Sequence, residues 1–200
     1  MRIIVVGATG TIGRAVAKLL LTEHNVVKAA SKSGDFRVDI TSQDSLEQLF
    51  QSVGSFDALV CAAGVARFAP LHELSDEDFQ LGLTSKLMGQ VNLVRLGMSH
   101  INDNGSFTLT SGVLSQQPMP GSSSISMINA GIEGFVRAAA LELPRGIRIN
   151  AVSPPWVMET LEALGMDTSI GMPAEKVAQA YRSSVTGTRS GLIINARDFA

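Results

Sequence analysis

The sequence predicts a single α/β domain over residues 1–200, a doubly wound parallel sheet with helices on both faces. Three observations predict it. Short apolar, β-branched runs alternate with longer segments of helical period, the order of strand–helix–strand units. The runs are apolar throughout rather than alternately polar, so both faces of the sheet are covered. No repeat, charged block or Pro/Gly/Ser-rich linker divides the 200 residues, a length that buries most of the surface of the unfolded chain.

The first strand is Ile3-Ile4-Val5-Val6. In 11–21, Ile12, Ala15, Val16, Leu19 and Leu20 fall on one helical face. A second strand covers 25–30. Residues 42–53 read as a helix with Leu46, Leu49, Phe50 and Val53 inward, and 56–62 as the next buried strand. A long helix, 75–98, opens on Ser75-Asp76-Glu77-Asp78, a Ser cap with an acidic first turn. A strand at 107–110 precedes a second long helix, 126–143, which Pro144 stops. Strands at 147–152 and 192–194 close the series, with a helix around 174–184 between them. Right-handed crossovers place ligands at the carboxyl ends of such strands.

Composition narrows the function classes. With 45% hydrophobic residues, 17% charged and a net charge of −2, the chain offers no broad attraction to nucleic acid or an anionic membrane. The single cysteine, Cys61, has no internal disulfide partner, in keeping with a reducing cytoplasm. The opening apolar run is too short for a secretory signal, and no run approaches the roughly 20 apolar residues of a membrane span. A cytoplasmic protein is expected. His24, His72 and His100 lie apart from the motifs, and no spacing suggests a metal site.

Gly7-Ala8-Thr9-Gly10-Thr11-Ile12-Gly13 lies between the first strand and the first helix. There the glycines permit a sharp turn, close approach of a pyrophosphate and close helix–strand packing, and the N–H groups of Thr11, Ile12 and Gly13 face phosphates. The spacing is G-x-x-G-x-x-G, and glycine also serves plain turns. A Rossmann-type dinucleotide site is the expectation. After the second strand stand Ala30, Ser31 and Lys32, where an NAD site usually has a carboxylate for the ribose 2′-hydroxyl. Its absence, with Lys32 adjacent, predicts NADP(H) over NAD(H); a polar solvated turn is the other reading of Ser31-Lys32.

Six segments in order resemble the short-chain dehydrogenase/reductase family over nearly the whole chain. They are the glycine turn, Cys61-Ala62-Ala63-Gly64, Thr110-Ser111, Ala130-Gly131-Ile132-Glu133-Gly134-Phe135-Val136-Arg137, Ala140-Leu141-Glu142-Leu143 and Ile147-Arg148-Ile149-Asn150-Ala151-Val152-Ser153-Pro154-Pro155. The resemblance implies that Asp39, followed by Ile40, contacts the adenine and that Ala62, Ala63 and Gly64 line the adenosine side. Asp39 reads equally as a cap before the helix at 42. Pro154, Trp156 and Val157 are assigned to the cofactor, and Pro155, Trp156 and Met158 to an apolar substrate wall. Between the second and third strands the chain is shorter than the pattern, so one strand is expected to lack its helix.

The family's chemistry uses an Asn, a Ser, a Tyr and a Lys. Ser111 matches the Ser, which polarises a carbonyl. Ile125 stands at the Tyr position, Asn129 at the Lys position and Lys86 at the Asn position. Losing a positioned general acid removes about 10²–10⁴-fold in rate, or roughly 3–5 kcal/mol of barrier. Lys86, Ser111 and Asn129 are the candidate catalytic set. Lys86 supplies the proton directly or through water if burial lowers its pKa; otherwise it is a surface lysine. Ser122, Ser123, Ser124 and Ser126 are expected to crowd the site's mouth, and Tyr181 to be a partly buried helix residue. In the family the two long helices pair subunits, which implies a homodimer. Two readings stay open: an NADP(H)-dependent oxidoreductase acting on a small carbonyl or alcohol, and a non-catalytic dinucleotide-binding regulatory or scaffold protein.

Overall fold

In the computed structural model, which describes residues 1–199, β1 (Arg2–Val6) lies near the middle of a seven-stranded sheet. The other strands are β2 (Asn25–Ala30), β3 (Phe36–Arg37), β4 (Phe56–Cys61), β5 (Ile101–Thr110), β6 (Arg148–Ser153) and β7 (Ile193–Asn195). Their spatial order is β3-β2-β1-β4-β5-β6-β7, and every neighbouring pair is parallel. The order reverses between β1 and β4, where a doubly wound sheet opens a crevice for ligands.

Strand periodicity explains the two layers of core. Ile4 and Val6 of β1 point to a cluster that takes Leu46 and Phe50 of α2 (Gln43–Val53), Leu93 of α4 (Gly89–Gly97) and Ile128 and Ile132 of α5 (Ser123–Glu142). Ile3 and Val5 point the other way, to Val16 and Leu20 of α1 (Thr11–Leu20) and Val177 and Tyr181 of α7 (Ala174–Thr186). Successive side chains of a strand face opposite sides, so wholly apolar strands require helices on both. Each such buried Leu, Ile or Phe contributes about 1.5–3 kcal/mol.

Differences from the sequence-based expectation have local causes. β2 and β3 are joined by residues 31–35 without a helix, as the shortened chain implied, although no run at 36–37 was marked as a strand. Gly34, at φ +120°, turns the chain back. The N–H of Asp35 donates to the Lys28 carbonyl, and its carboxylate accepts the Lys28 N–H, both at 2.8 Å. β5 starts at Ile101 rather than 107, its polar Asn102-Asp103-Asn104 disguising a strand. Arg145 holds that stretch, donating to the Ile101 carbonyl at 3.1 Å and to Asp103 at 2.9 Å. α5 begins three residues early, and α6 (Met158–Ala163) follows the loop at 154–157 unannounced.

The expected long helix is α3 (Asp76–Gly82), a π-helical stretch Leu83–Met88 and α4 in series. Ser75 and Asp78 form a reciprocal capping box at its start. Lys86 lies within the π-helical stretch, a feature that often marks functional positions. No helix among the described residues is long and apolar enough to cross a membrane.

Candidate active site

Two clefts meet at the carboxyl ends of β1, β4 and β5. The first, about 330 Å³, gathers Gly7, Thr9, Gly10, Ser31, Asp39 and Ile40; the second, about 260 Å³, holds Lys86, Ser111, Ile125 and Asn129. Ala62, Ala63 and Gly64 line both, so the clefts form one groove across the sheet ends. Ile12, Pro154, Trp156 and Val157 belong to the second cleft. Thr11, Gly13 and Lys32 are not among the groove's lining residues.

The turn fits a phosphate. No side chain caps α1, and the first helical N–H with a backbone acceptor is that of Arg14, bonded to the Gly10 carbonyl at 2.9 Å. The N–H groups of Thr11, Ile12 and Gly13 precede it and remain available, as at any uncapped helix start. A Cβ on Gly13 would stand 2.0 Å from the Gly7 carbonyl oxygen, so that glycine sets helix–strand packing and not the cleft wall. Asp39 does not cap α2; Ser42 does, accepting the Ser45 N–H. The Asp39 carboxylate instead accepts from the Thr41 hydroxyl and N–H, which hold its pKa below the usual carboxylate range.

Lys86 is not a surface lysine. Its Nζ reaches across the second cleft to donate to the Ser111 carbonyl at 3.2 Å. Burial lowers its pKa to about 8. Gly64, at φ +130°, makes room for it: a Cβ there would sit 2.8 Å from the Lys86 Cα and 2.9 Å from its Cγ. Gln90, wholly buried, braces the same region. Its side-chain N–H group donates to the carbonyls of Lys86 and Thr110, and its Oε1 accepts the Thr110 N–H at 2.8 Å. Nothing in the sequence singled out Gln90, because its partners are backbone atoms of its own helical run and of β5.

Ser111 is buried at the cleft floor, where its hydroxyl donates within the protein, to Glu133 at 3.2 Å and the Val152 carbonyl at 3.4 Å. The buried Glu133 carboxylate also accepts from Ser115 at 2.5 Å and pairs with Arg137 at 3.2 Å. Asn129 lies against Gly112, its amide nitrogen 3.4 Å from the Gly112 carbonyl, while its Oδ1 is buried without a partner. Asn129 lines the second cleft, and its amide, unpartnered at Oδ1, fits a hydroxyl-bearing ligand such as a nucleotide ribose.

Several expectations need correction. Ser122, Ser123, Ser124 and Ser126 do not line the second cleft: Ser122 bonds Ser126 at 3.0 Å, and Ser124 is wholly buried. Met158 is absent from the apolar wall, where Val157 and Thr160 stand instead. Tyr181 is fully buried under the floor, bonded to the Thr110 hydroxyl at 2.7 Å, and burial pushes its phenol pKa well up. Cys61 is buried as anticipated, its thiol pushed up to about 12.

A family described as enoyl-(acyl carrier protein) reductase matches residues 13–188. The chain belongs to the short-chain dehydrogenase/reductase family. It is 30% identical over 197 residues to a cis-4-hydroxycyclohexanecarboxylate dehydrogenase from Sinomonas cyclohexanicum, covering 86% of this chain and 76% of that one. Among solved structures it superposes on the protein lin1944 from Listeria innocua with a TM-score of 0.94 and 43% identity, over 98% of each chain. A small-chain dehydrogenase in complex with NADPH gives a TM-score of 0.87 at 27% identity, covering 98% of this chain and 95% of that one.

Proposed function

We propose that the protein is an NADP(H)-dependent oxidoreductase of a small carbonyl or alcohol substrate, with Lys86 at the position of proton exchange. The observation that carries this reading is the placement of Lys86 in the cleft half of a groove that begins at the phosphate turn. The turn, Asp39, Ile40 and the segment from Ala62 to Gly64 would hold NADP(H), which would supply or accept hydride. Ser31 and the missing carboxylate after β2 favour a 2′-phosphate, with the exposed Lys32 adding attraction from outside the wall. The NADPH-bound relative supports the same preference.

The chain's residues divide the remaining work. Lys86 Nζ, protonated at neutral pH, presents donors to a substrate oxygen and gives it a proton on reduction. A pKa of about 8 suits an acid working near neutrality. Asn129, which lines the same cleft, would hold the cofactor ribose. Ser111, with its own hydrogen committed to Glu133 and Val152, shapes the floor and fixes the carbonyl that orients Lys86. Ile125, Leu114 and Trp156 exclude water. The outward faces of the π-helical stretch and α5, where Met88, Met127 and Leu141 are exposed and a Cβ on Gly134 would meet nothing, are read as a homodimer surface.

A second reading has its own observation. Ser111 spends its hydrogen on the protein and Ile125 replaces the phenol, which favours a dinucleotide-binding module without turnover. Calorimetric titration of the ligand-free protein with NADPH and NADH, followed by NADPH oxidation against small aldehydes and ketones, separates the two. NADPH binding with Lys86-dependent turnover supports the enzyme; binding without turnover supports the module; equal affinity for both cofactors refutes the NADP(H) preference.

A further inference from the structure

Lys86 differs from the other four lysines. Lys18, Lys32 and Lys176 are exposed and Lys28 is half-buried on β2, whereas Lys86 extends into an apolar cleft walled by Ile125, Leu114, Val113 and Trp156. Among the described residues no carboxylate pairs with it. Among the described residues its hydrogen-bond partner is the Ser111 carbonyl alone. A charged ammonium has three hydrogens to place and finds one acceptor; an uncharged amine keeps that bond and turns its lone pair to the cleft.

We propose that Lys86 is a covalent capture site for small aldehydes and α-dicarbonyl compounds, its Nζ forming an imine with the carbonyl carbon. The nitrogen lone pair adds to that carbon to give a carbinolamine. The C–O bond then breaks, and the oxygen leaves as water carrying both hydrogens of the amine. No electron leaves or enters, so no oxidant or reductant is required, and the imine hydrolyses back by the same route. The cleft volume of about 260 Å³ admits a ring-sized aldehyde.

Burial favours the nucleophilic form. With a pKa of about 8, roughly one molecule in ten carries the free amine at pH 7, against roughly one in three thousand at the ordinary lysine value. The groups facing Lys86 do not reverse this. From β4 comes Cys61, fully buried with its thiol pushed up to about 12 and hence uncharged. β5 and its continuation supply the Ser111 carbonyl, and α5 supplies the neutral Ile125 and Asn129. The Glu133 carboxylate is taken up by Ser111, Ser115 and Arg137. This inference uses no nicotinamide chemistry, so it stands or fails apart from the oxidoreductase reading.

The test labels the intact, ligand-free chain with benzaldehyde and sodium cyanoborohydride, which makes imines permanent, and locates benzylated lysines by peptide mass spectrometry. At pH 7, Lys86 is expected to react about tenfold or more faster than Lys18, Lys28, Lys32 and Lys176. The Lys86 rate should rise through pH 8 and then level off, and Lys86→Met should remove the fast internal label. Labelling of Lys86 no faster than the other four lysines, or a rate flat from pH 6.5 to 9, overturns the proposal.

Discussion

Replacing Lys86 with methionine should make the protein more stable. The ammonium sits where burial lowers its pKa from 10.5 to about 8, a penalty on the charged form of roughly 3 kcal/mol at about 1.4 kcal/mol per pH unit. Lys86 is only partly buried, and solvent screening halves that figure, leaving about 1.5 kcal/mol. Methionine keeps the unbranched stem and has no charge to desolvate. For a domain of this size about 1.5 kcal/mol raises Tm by roughly 3–6 °C. The pH dependence follows from proton counting. Folded Lys86 loses its proton near pH 8 and the unfolded chain's near 10.5, so between those values the unfolded state holds more protons and wild-type stability rises with pH. The advantage of Lys86→Met is therefore full below pH 8 and fades toward 10.5. Thermal unfolding of both proteins across pH 6.5–10 measures it. A variant no more stable than wild type at pH 7, or one whose advantage does not shrink with pH, refutes the placement of a desolvated cation in the cleft. The same variant should lose about 10²-fold or more in turnover, the trade expected where a strained group serves function.

Other substitutions test the remaining parts. Gly13→Ala forces a Cβ to within 2.0 Å of the Gly7 carbonyl oxygen, and displacement of α1 should weaken NADPH binding by about tenfold or more, read by calorimetry; an unchanged Kd means the turn does not hold the cofactor. Gln90→Ala strands the buried Thr110 N–H and two carbonyls and should cost about 2–4 kcal/mol in urea unfolding. A loss under about 1 kcal/mol would show that Gln90 does not brace this region. Tyr181→Phe removes one buried hydrogen bond to Thr110, worth about 1 kcal/mol, and should leave turnover untouched; a collapse in rate would place the phenol in the chemistry.

Much of the architecture was legible because it depends on neighbours in sequence. Apolar runs such as Ile3-Ile4-Val5-Val6 announce a strand buried on both faces, and the spacing of Val16, Leu19 and Leu20 announces a helix. The glycine turn is equally local. β3 was illegible, since a two-residue strand held by Asp35 and Lys28 carries no period. The start of β5 was hidden because Arg145, over 40 positions away, satisfies it.

The candidate site divides along the same line. Residue types and order alone determined the fold class, the groove's glycine-lined half and the absence of a Tyr-Lys pair, for these are facts of composition and spacing. Only the tertiary structure decided that Lys86 enters the cleft, that Gly64 clears its path and that Ser111 turns its hydrogen to Glu133. Each of these depends on a contact between elements at least 20 residues apart, and burial, which sets both pKa and hydrogen-bond polarity, exists only once those elements have packed.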